Sequence, residues 1–278
     1  MNKKLHLTDS HDIHDNKVGF LKTNVIFKDH DTQEVIWKGR NKVILPGAEF
    51  LALHVFHLPT DVPITPSYNT SLDLENTIYS NPPLEPNKAF LWCVGTDGCG
   101  RENSQVYEVD YRKWIMPVSM VPFKYPLTSD DLTPAERNIY FGRQLSSSNW
   151  PHPNNYAYYF KKFDSDPTLI RRYTDGTGIT STVYDDITRI PVETYVEMSM
   201  SITKDDCREF FYYTTGINDA RINTMSLCTA YARDITDPVS GNTYVYYQDI
   251  RPITKLNFPN EPLIDLNKGI DIIYQVYF

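Results

Sequence analysis

Ile190-Pro191-Val192-Glu193-Thr194-Tyr195-Val196-Glu197-Met198-Ser199-Met200-Ser201-Ile202 alternates residue by residue between two kinds of side chain. Ile190, Val192, Thr194, Val196, Met198, Met200 and Ile202 fall on one side of an extended backbone. Arg189, Glu193, Tyr195, Glu197, Ser199 and Ser201 fall on the other, and the strand is read over 187–202. Successive Cβ atoms of a strand point to opposite faces, so this period of two predicts a long strand with one face against a core.

The same rule recurs on both sides of it. Leu21, Thr23, Val25 and Phe27 alternate with Lys22, Asn24, Ile26 and Lys28; the polar tip Asp29–Gln33 reverses the chain and Glu34–Gly39 returns it. Residues 20–45 therefore read as a hairpin. Ala89–Gly95 is continuously apolar between turn residues, which fits a strand buried on both faces. Val106–Met116, Arg221–Arg233 and Thr243–Gln248 read as further strands, and Glu209–Thr214 is suggested as another. Gly269–Phe278 is apolar to its last residue and reads as a strand bound to a sheet of its own subunit or of a neighbour.

One segment departs from this pattern. In Gly39–Phe56, GRNKVILPGAEFLALHVF, a strand over Lys42–Leu45 meets Pro46-Gly47. Ala48, Leu51, Ala52 and Val55 then fall at helical spacing, with Phe50, Leu53 and Phe56 as a second apolar row. Pro46 suits the first helical position, where its missing N–H costs nothing. A short helix apolar on most of its surface has to be enclosed, so a buried helix is predicted over about 47–57. The expected fold is mainly β: an antiparallel β-sandwich with this one helix and a long irregular insertion.

That insertion spans about 117–185 and is rich in Pro, Tyr, Asn and Ser, with a short helix predicted over Asp130–Ile139. A connection this long is usually functional, so it reads as surface or as a partner contact. Trp150, Tyr156, Tyr158 and Tyr159 within it, with Tyr274, Val276 and Phe278 of the last strand, are the candidate interface residues. Residues 1–17 are polar and read as an N-terminal arm, leaving 18–278 as a single β-sandwich domain.

Composition bounds the function. With 41% of its 278 residues apolar and 13% aromatic, the chain can bury a substantial core. A formal charge of −8 and the lack of any Lys/Arg cluster give no support to direct nucleic-acid binding. The N-terminus shows no apolar signal region and no run approaches the ~20 apolar residues needed to cross a bilayer. The expectation is a soluble chain made in the cytoplasm, without membrane contact. Cys93, Cys99, Cys207 and Cys228 are too scattered for a disulfide framework and read as reduced, mostly buried thiols.

Motifs for chemistry are weak. There is no GxSxG. His54 and His57 lack the spacing and Glu of a zincin; His6, His11 and His14 sit in the polar arm. Gly95–Gly100 superficially resembles a phosphate cradle, but it lacks the GK[ST] ending and no helical pattern follows, so it reads as a β-turn. Asp97, Asp110, Asp185 and Asp186 show no EF-hand spacing. No catalytic, cofactor-binding or metal residues are assigned, and no cofactor is expected.

Three stretches, in order, resemble bacteriophage virion proteins. Gly39–Gly47 resembles the G-x-N-x-(apolar)2-x-x-G segment that precedes a buried helix in those proteins. Phe90–Gly98 resembles their apolar strand ending in Gly-Thr-Gly, with Asp97-Gly98 here in place of the final Gly. Arg221–Leu227 resembles a later strand usually written with Glu-Leu/Ile-Gly-Leu; Met225-Ser226-Leu227 lacks the Glu and Gly. The Gly269–Phe278 strand is also similar. The resemblance implies a non-enzymatic β-sandwich component of a phage tail, baseplate or head–tail neck, made in the host cytoplasm and residing in the virion. Copies of itself and other virion proteins are the implied partners, met through the arm, the insertion and the terminal strand. The alternative from another class is a receptor- or carbohydrate-binding β-sandwich associated with a tail fibre, with insertion aromatics stacking on sugars.

Overall fold

A computed structural model of the chain describes residues 22–40, 42–43, 88–102, 105–108, 119–125, 132–133, 135–145, 156–174, 180–181, 190–216, 220–236, 241, 243–258 and 269–277. In chain order the strands begin with β1 (Lys22–Asp29), β2 (Val35–Gly39), β3 (Lys42–Val43), β4 (Lys88–Gly95), β5 (Cys99–Glu102) and β6 (Gln105–Glu108). They continue with β7 (Met120–Val121), β8 (Tyr140–Leu145), β9 (Tyr156–Lys162), β10 (Thr168–Thr174), β11 (Thr180–Ser181) and β12 (Ile190–Ile202). Helix α1 (Arg208–Thr214) precedes β13 (Thr224–Thr236), β14 (Thr243–Pro252), β15 (Thr254–Asn257) and β16 (Ile270–Tyr277).

Two antiparallel sheets pack together as a sandwich. Sheet one runs β11-β10-β12-β16-β1-β2. Sheet two runs β3-β15-β13-β4-β9-β8, with β14 along β13 and β7 beside β4. Strands β5 and β6 pair as a separate hairpin.

The alternation in the sequence becomes rows of side chains across sheet one. Val25, Tyr274 and Met198 are in register across β1, β16 and β12, and so are Phe27, Ile272 and Met200. All six are buried against sheet two. The opposite face carries a polar ladder: Asn24 donates to Gln275 (3.1 Å), and Gln275 donates to Glu197 (2.8 Å). A one-residue slip of β16 would exchange these faces, so burial on one side fixes the register.

Among the described residues, the centre of sheet two carries apolar clusters on both faces. On β4, Trp92 and Val94 join the core between the sheets, while Leu91 and Cys93 join a second apolar cluster on the reverse side with Met120, Phe160, Cys228 and Tyr247. From Leu91 to Gly95, β4 is buried on both faces, as its apolar run predicts. Trp92 packs edge-on to Phe123 at 4.8 Å, and Phe27, Trp37 and Phe258 form a triangle of rings 5.1 to 5.9 Å apart that ties β1 and β2 to the end of β15.

Some expectations change. Arg208–Thr214, whose Glu209–Thr214 suggested a strand, is helical. Cys207 before it takes a left-handed φ of 62°, and its N–H donates to Phe123 O at 2.8 Å. This turn sends the chain out of β12, and Phe211 is then buried by one helical face. Four consecutive aromatic residues have no period of their own, so the tertiary turn decides. The stretch 117–185 is not irregular where it is described: β7, β8 and β9 belong to sheet two and β10 and β11 to sheet one. Over Asp130–Ile139 a single 3-10 turn forms at Glu136–Asn138. Its capping box is reciprocal: Glu136 N–H donates to Thr133 Oγ1, and Thr133 N–H donates back to Glu136. The Thr133 hydroxyl, which donates to the Glu136 carboxylate at 2.7 Å, and then the Thr133 N–H hold the Glu136 pKa below its ordinary value. The predicted helix over 47–57 and the arm over 1–17 lie outside the described residues.

Candidate functional site

The most developed polar feature lies where β8 and β9 of sheet two meet the turn that leaves β12 of sheet one. Asp206 N–H donates to Thr203 O (3.1 Å) and Thr203 N–H donates to Asp206 Oδ2 (2.8 Å), closing the turn around the carboxylate. The left-handed Cys207 that follows keeps Asp206 turned inward, where it is 0% exposed. Lys161 of β9 reaches it from the other sheet, with Nζ 2.8 Å from Oδ2, and donates also to Ser201 O at 2.7 Å. Tyr140 of β8 donates its hydroxyl to Asp206 Oδ1 at 2.7 Å.

This triad is almost wholly buried. The Lys161 side chain is 4% exposed, and its Nζ lies 5.9 and 5.7 Å from the centres of the Phe123 and Tyr140 rings. Burial and then the charge of Asp206 push the Tyr140 hydroxyl far above the ordinary phenol range, so it stays a proton donor. Burial and the same charge also raise the Cys207 thiol, which holds it in the unreactive form.

Above the triad opens a cleft of about 550 Å³ bordered by Asn138, Tyr140, Lys161, Asp164, Asp166 and Thr203 among others. Burial raises the Asp164 carboxyl. Chemically, the site presents one buried amine, one buried carboxylate and one hydroxyl donor in mutual contact, with an outlet to water. Lys161 belongs to the pair Lys161-Lys162, which carries no signal in the sequence beyond two adjacent charges. A lysine between Phe160 and Phe163 in a strand is the one hint, and its partner lies 45 residues away.

The candidate interface residues do not converge. Tyr274 is wholly buried and Tyr158 is 5% exposed, both in the core between the sheets, so the exposure expected of Tyr158 is not observed. Tyr159 packs against the reverse face of sheet two, and burial pushes its hydroxyl up to about 12. Val276 packs against the inter-sheet core beside them in sheet one. The backbone of Tyr156 pairs with Leu145, while Trp150 and Phe278 lie outside the described residues. Strand β16 is paired along both edges, with β12 and β1 of the same subunit.

The glycine-rich turn after β4 serves packing. Asn223 Oδ1 accepts from Gly98 N–H (2.7 Å), Asn223 Nδ2 donates to Cys99 O (3.1 Å), and Asn223 N–H donates to Gly95 O (3.0 Å). A Cβ on Gly98 would overlap the Asn223 carbonyl, so only glycine allows this approach. Two amides that a phosphate would need are therefore already engaged, Gly98 N–H by Asn223 and Thr96 N–H by Ser119 O. Lys255 of β15 lies beneath the turn, its side chain 0% exposed and its Nζ 3.5 Å from Asp97. All four cysteines are free thiols; Cys93, Cys207 and Cys228 are buried, and Cys99 is half-buried and donates to Phe258 O.

Among the described residues, no three His, Cys, Asp or Glu side chains are grouped to hold a metal ion, and no helix is long and apolar enough to cross a membrane. His6, His11, His14, His54, His57, Asp110, Asp185 and Asp186 lie outside them. No family model, curated protein or solved structure matches the chain.

Proposed function

We propose that this chain is an architectural, non-enzymatic component of a bacteriophage virion, placed in the tail, baseplate or head–tail neck and assembled with copies of itself and other virion proteins. One observation carries the reading. The stretches that resemble virion proteins are far apart in sequence, yet their described strands fall in one sheet, two of them adjacent and the third one strand away. β3, from Gly39–Gly47, pairs with β15; β15 pairs with β13, from Arg221–Leu227; and β13 pairs with β4, from Phe90–Gly98. Asn223 and Gly98, one from each of the latter two stretches, are bonded directly. Motifs that mark a shared framework are expected to meet in this way, whereas chance matches have no reason to.

The double-edged pairing of β16 moves the proposed subunit contacts away from the terminal strand. They fall instead to the arm over 1–17 and to the connections within 117–185. Symmetric repetition is the usual route to a large closed assembly, so the isolated chain is expected to form a ring or to await its neighbours.

The test is direct. Antibody labelling of purified particles by electron microscopy, with mass spectrometry of their proteins, is expected to find the chain at one fixed location. Particles that lack it, from cells that make it, would overturn the proposal.

A further inference from the structure

We infer that Lys161 and Asp206 condense within the folded protein into an amide bond that joins the two sheets covalently. The inference stands apart from the virion reading. It rests on two complementary groups enclosed together: Nζ is 2.8 Å from Oδ2, so the carboxyl carbon lies one bond further on, and the side chains are 4% and 0% exposed. Lys161 belongs to sheet two and Asp206 to the turn leaving sheet one, so the bond would close a loop across the sandwich.

Around this pair stand the groups the reaction needs. Two opposite charges removed from water carry a large desolvation cost. Transfer of one proton from Nζ to Oδ2 along their hydrogen bond cancels both charges and leaves an amine facing a carboxylic acid. Fixed contact then replaces a bimolecular encounter, an advantage of up to ~10⁵–10⁸ M in effective concentration. The nitrogen lone pair adds to Cγ, and negative charge develops on Oδ1, where the Tyr140 hydroxyl already donates at 2.7 Å. Thr203 N–H donates to Oδ2, the oxygen that departs, and Ser201 O accepts from Nζ and aims it.

The balance closes without a co-reactant. The N–Cγ bond forms and the Cγ–Oδ2 bond breaks. Oδ2 leaves as water with two of the three ammonium protons, and the third remains on the amide nitrogen. The cleft bordered by Tyr140 and Lys161 gives that water an exit.

The second buried Lys–Asp pair is an internal control. Lys255 Nζ stands 3.5 Å from Asp97, beyond good hydrogen-bonding length, and the Asp97 side chain is 17% exposed. It is expected to remain an ion pair.

Intact-mass measurement of the purified, denatured full chain tests this. The expected mass is that of the sequence less one water, with proteolysis yielding a branched peptide that links Lys161 to Asp206 and leaves Lys161 uncut by trypsin. Tyr140→Phe, which keeps the ring, is expected to slow closure by about 10²-fold or more, so that both masses are seen and their ratio changes with incubation. Asp206→Ala should give the full sequence mass. The unreduced sequence mass for the wild-type chain after long incubation in the folded state would overturn the inference. So would a lost water that maps to a single unbranched peptide, or a branch at Lys255.

Discussion

The two sheets of this molecule solve burial differently. In sheet one, β16 sends Ile270, Ile272 and Tyr274 inward, while Asp271 and Ile273 lie half-buried on the opposite face, where Gln275 joins the polar ladder. In sheet two, consecutive residues of β4 are both core: Leu91 and Trp92 are each 0% exposed, on opposite faces. A strand with one wet face tolerates change at every second position. A strand with two dry faces tolerates it nowhere, and the same difference decides how each is read from sequence.

Substitutions distinguish the two kinds of burial. The largest effect is expected at the joint between the sheets. Asp206→Ala removes the joint, whether ion pair or amide, and leaves the Lys161 ammonium buried with no partner charge; unfolding stability should fall by about 3–5 kcal/mol or more in a denaturant titration. Next come Leu91→Ala and Trp92→Ala, adjacent on β4. Both are expected to cost about 2–5 kcal/mol by the same titration, because each empties a different closed cluster. On β16, Ile272→Ala should match them while its neighbour Ile273→Ala should cost about 1 kcal/mol or less. Equal losses at 272 and 273 would show that sheet one also has two dry faces.

Smaller again is Gly98→Ala, which pushes a methyl group into the Asn223 carbonyl and should cost about 1–3 kcal/mol, read as a lower melting temperature. The smallest effect is at the β1–β2 hairpin tip, where the exposed His30 ring meets Asp271 at 2.9 Å. The hydrogen bond and charge of Asp271 raise the His30 pKa above its ordinary 6.5. A raised folded pKa means that the tip contact is fully present below the ordinary value and is lost as pH rises through the folded one. Ring resonances of His30 followed by NMR should titrate late in the wild type and closer to the ordinary value in Asp271→Asn, where Asp29 and Asp31 still act.

Legibility followed the same division. The rows of β12, β16 and β1 are visible in the sequence because water on one face imposes a period of two. β4 is visible as an unbroken apolar run between turns. The strands between 120 and 181 are hidden, since β9 buries a lysine among aromatic residues and β8 contains Gly142 with a φ of 67°. α1 is hidden for a different reason: the left-handed turn at Cys207 sets its course, and cysteine gives no warning of that conformation. The Lys161–Asp206 contact depends on that turn and on a second sheet, so local pattern cannot reveal it. Tyr158 and Tyr274 looked like interface residues by type, and only their register placed them inside.

The neighbouring positions of β1 and β16 bear on how the molecule is made. Asn24 and Gln275, hydrogen-bonded to each other, are 251 positions apart. Until Ile270–Tyr277 are synthesised, β1 and β12 each wait with an open edge and half of a shared apolar row. Pairings of such long range form slowly, and exposed strand edges in the meantime invite association with the wrong chain. Truncation within those eight residues should therefore shift the product from a folded chain toward aggregates, by separating two strands that nothing else among the described pairings brings together.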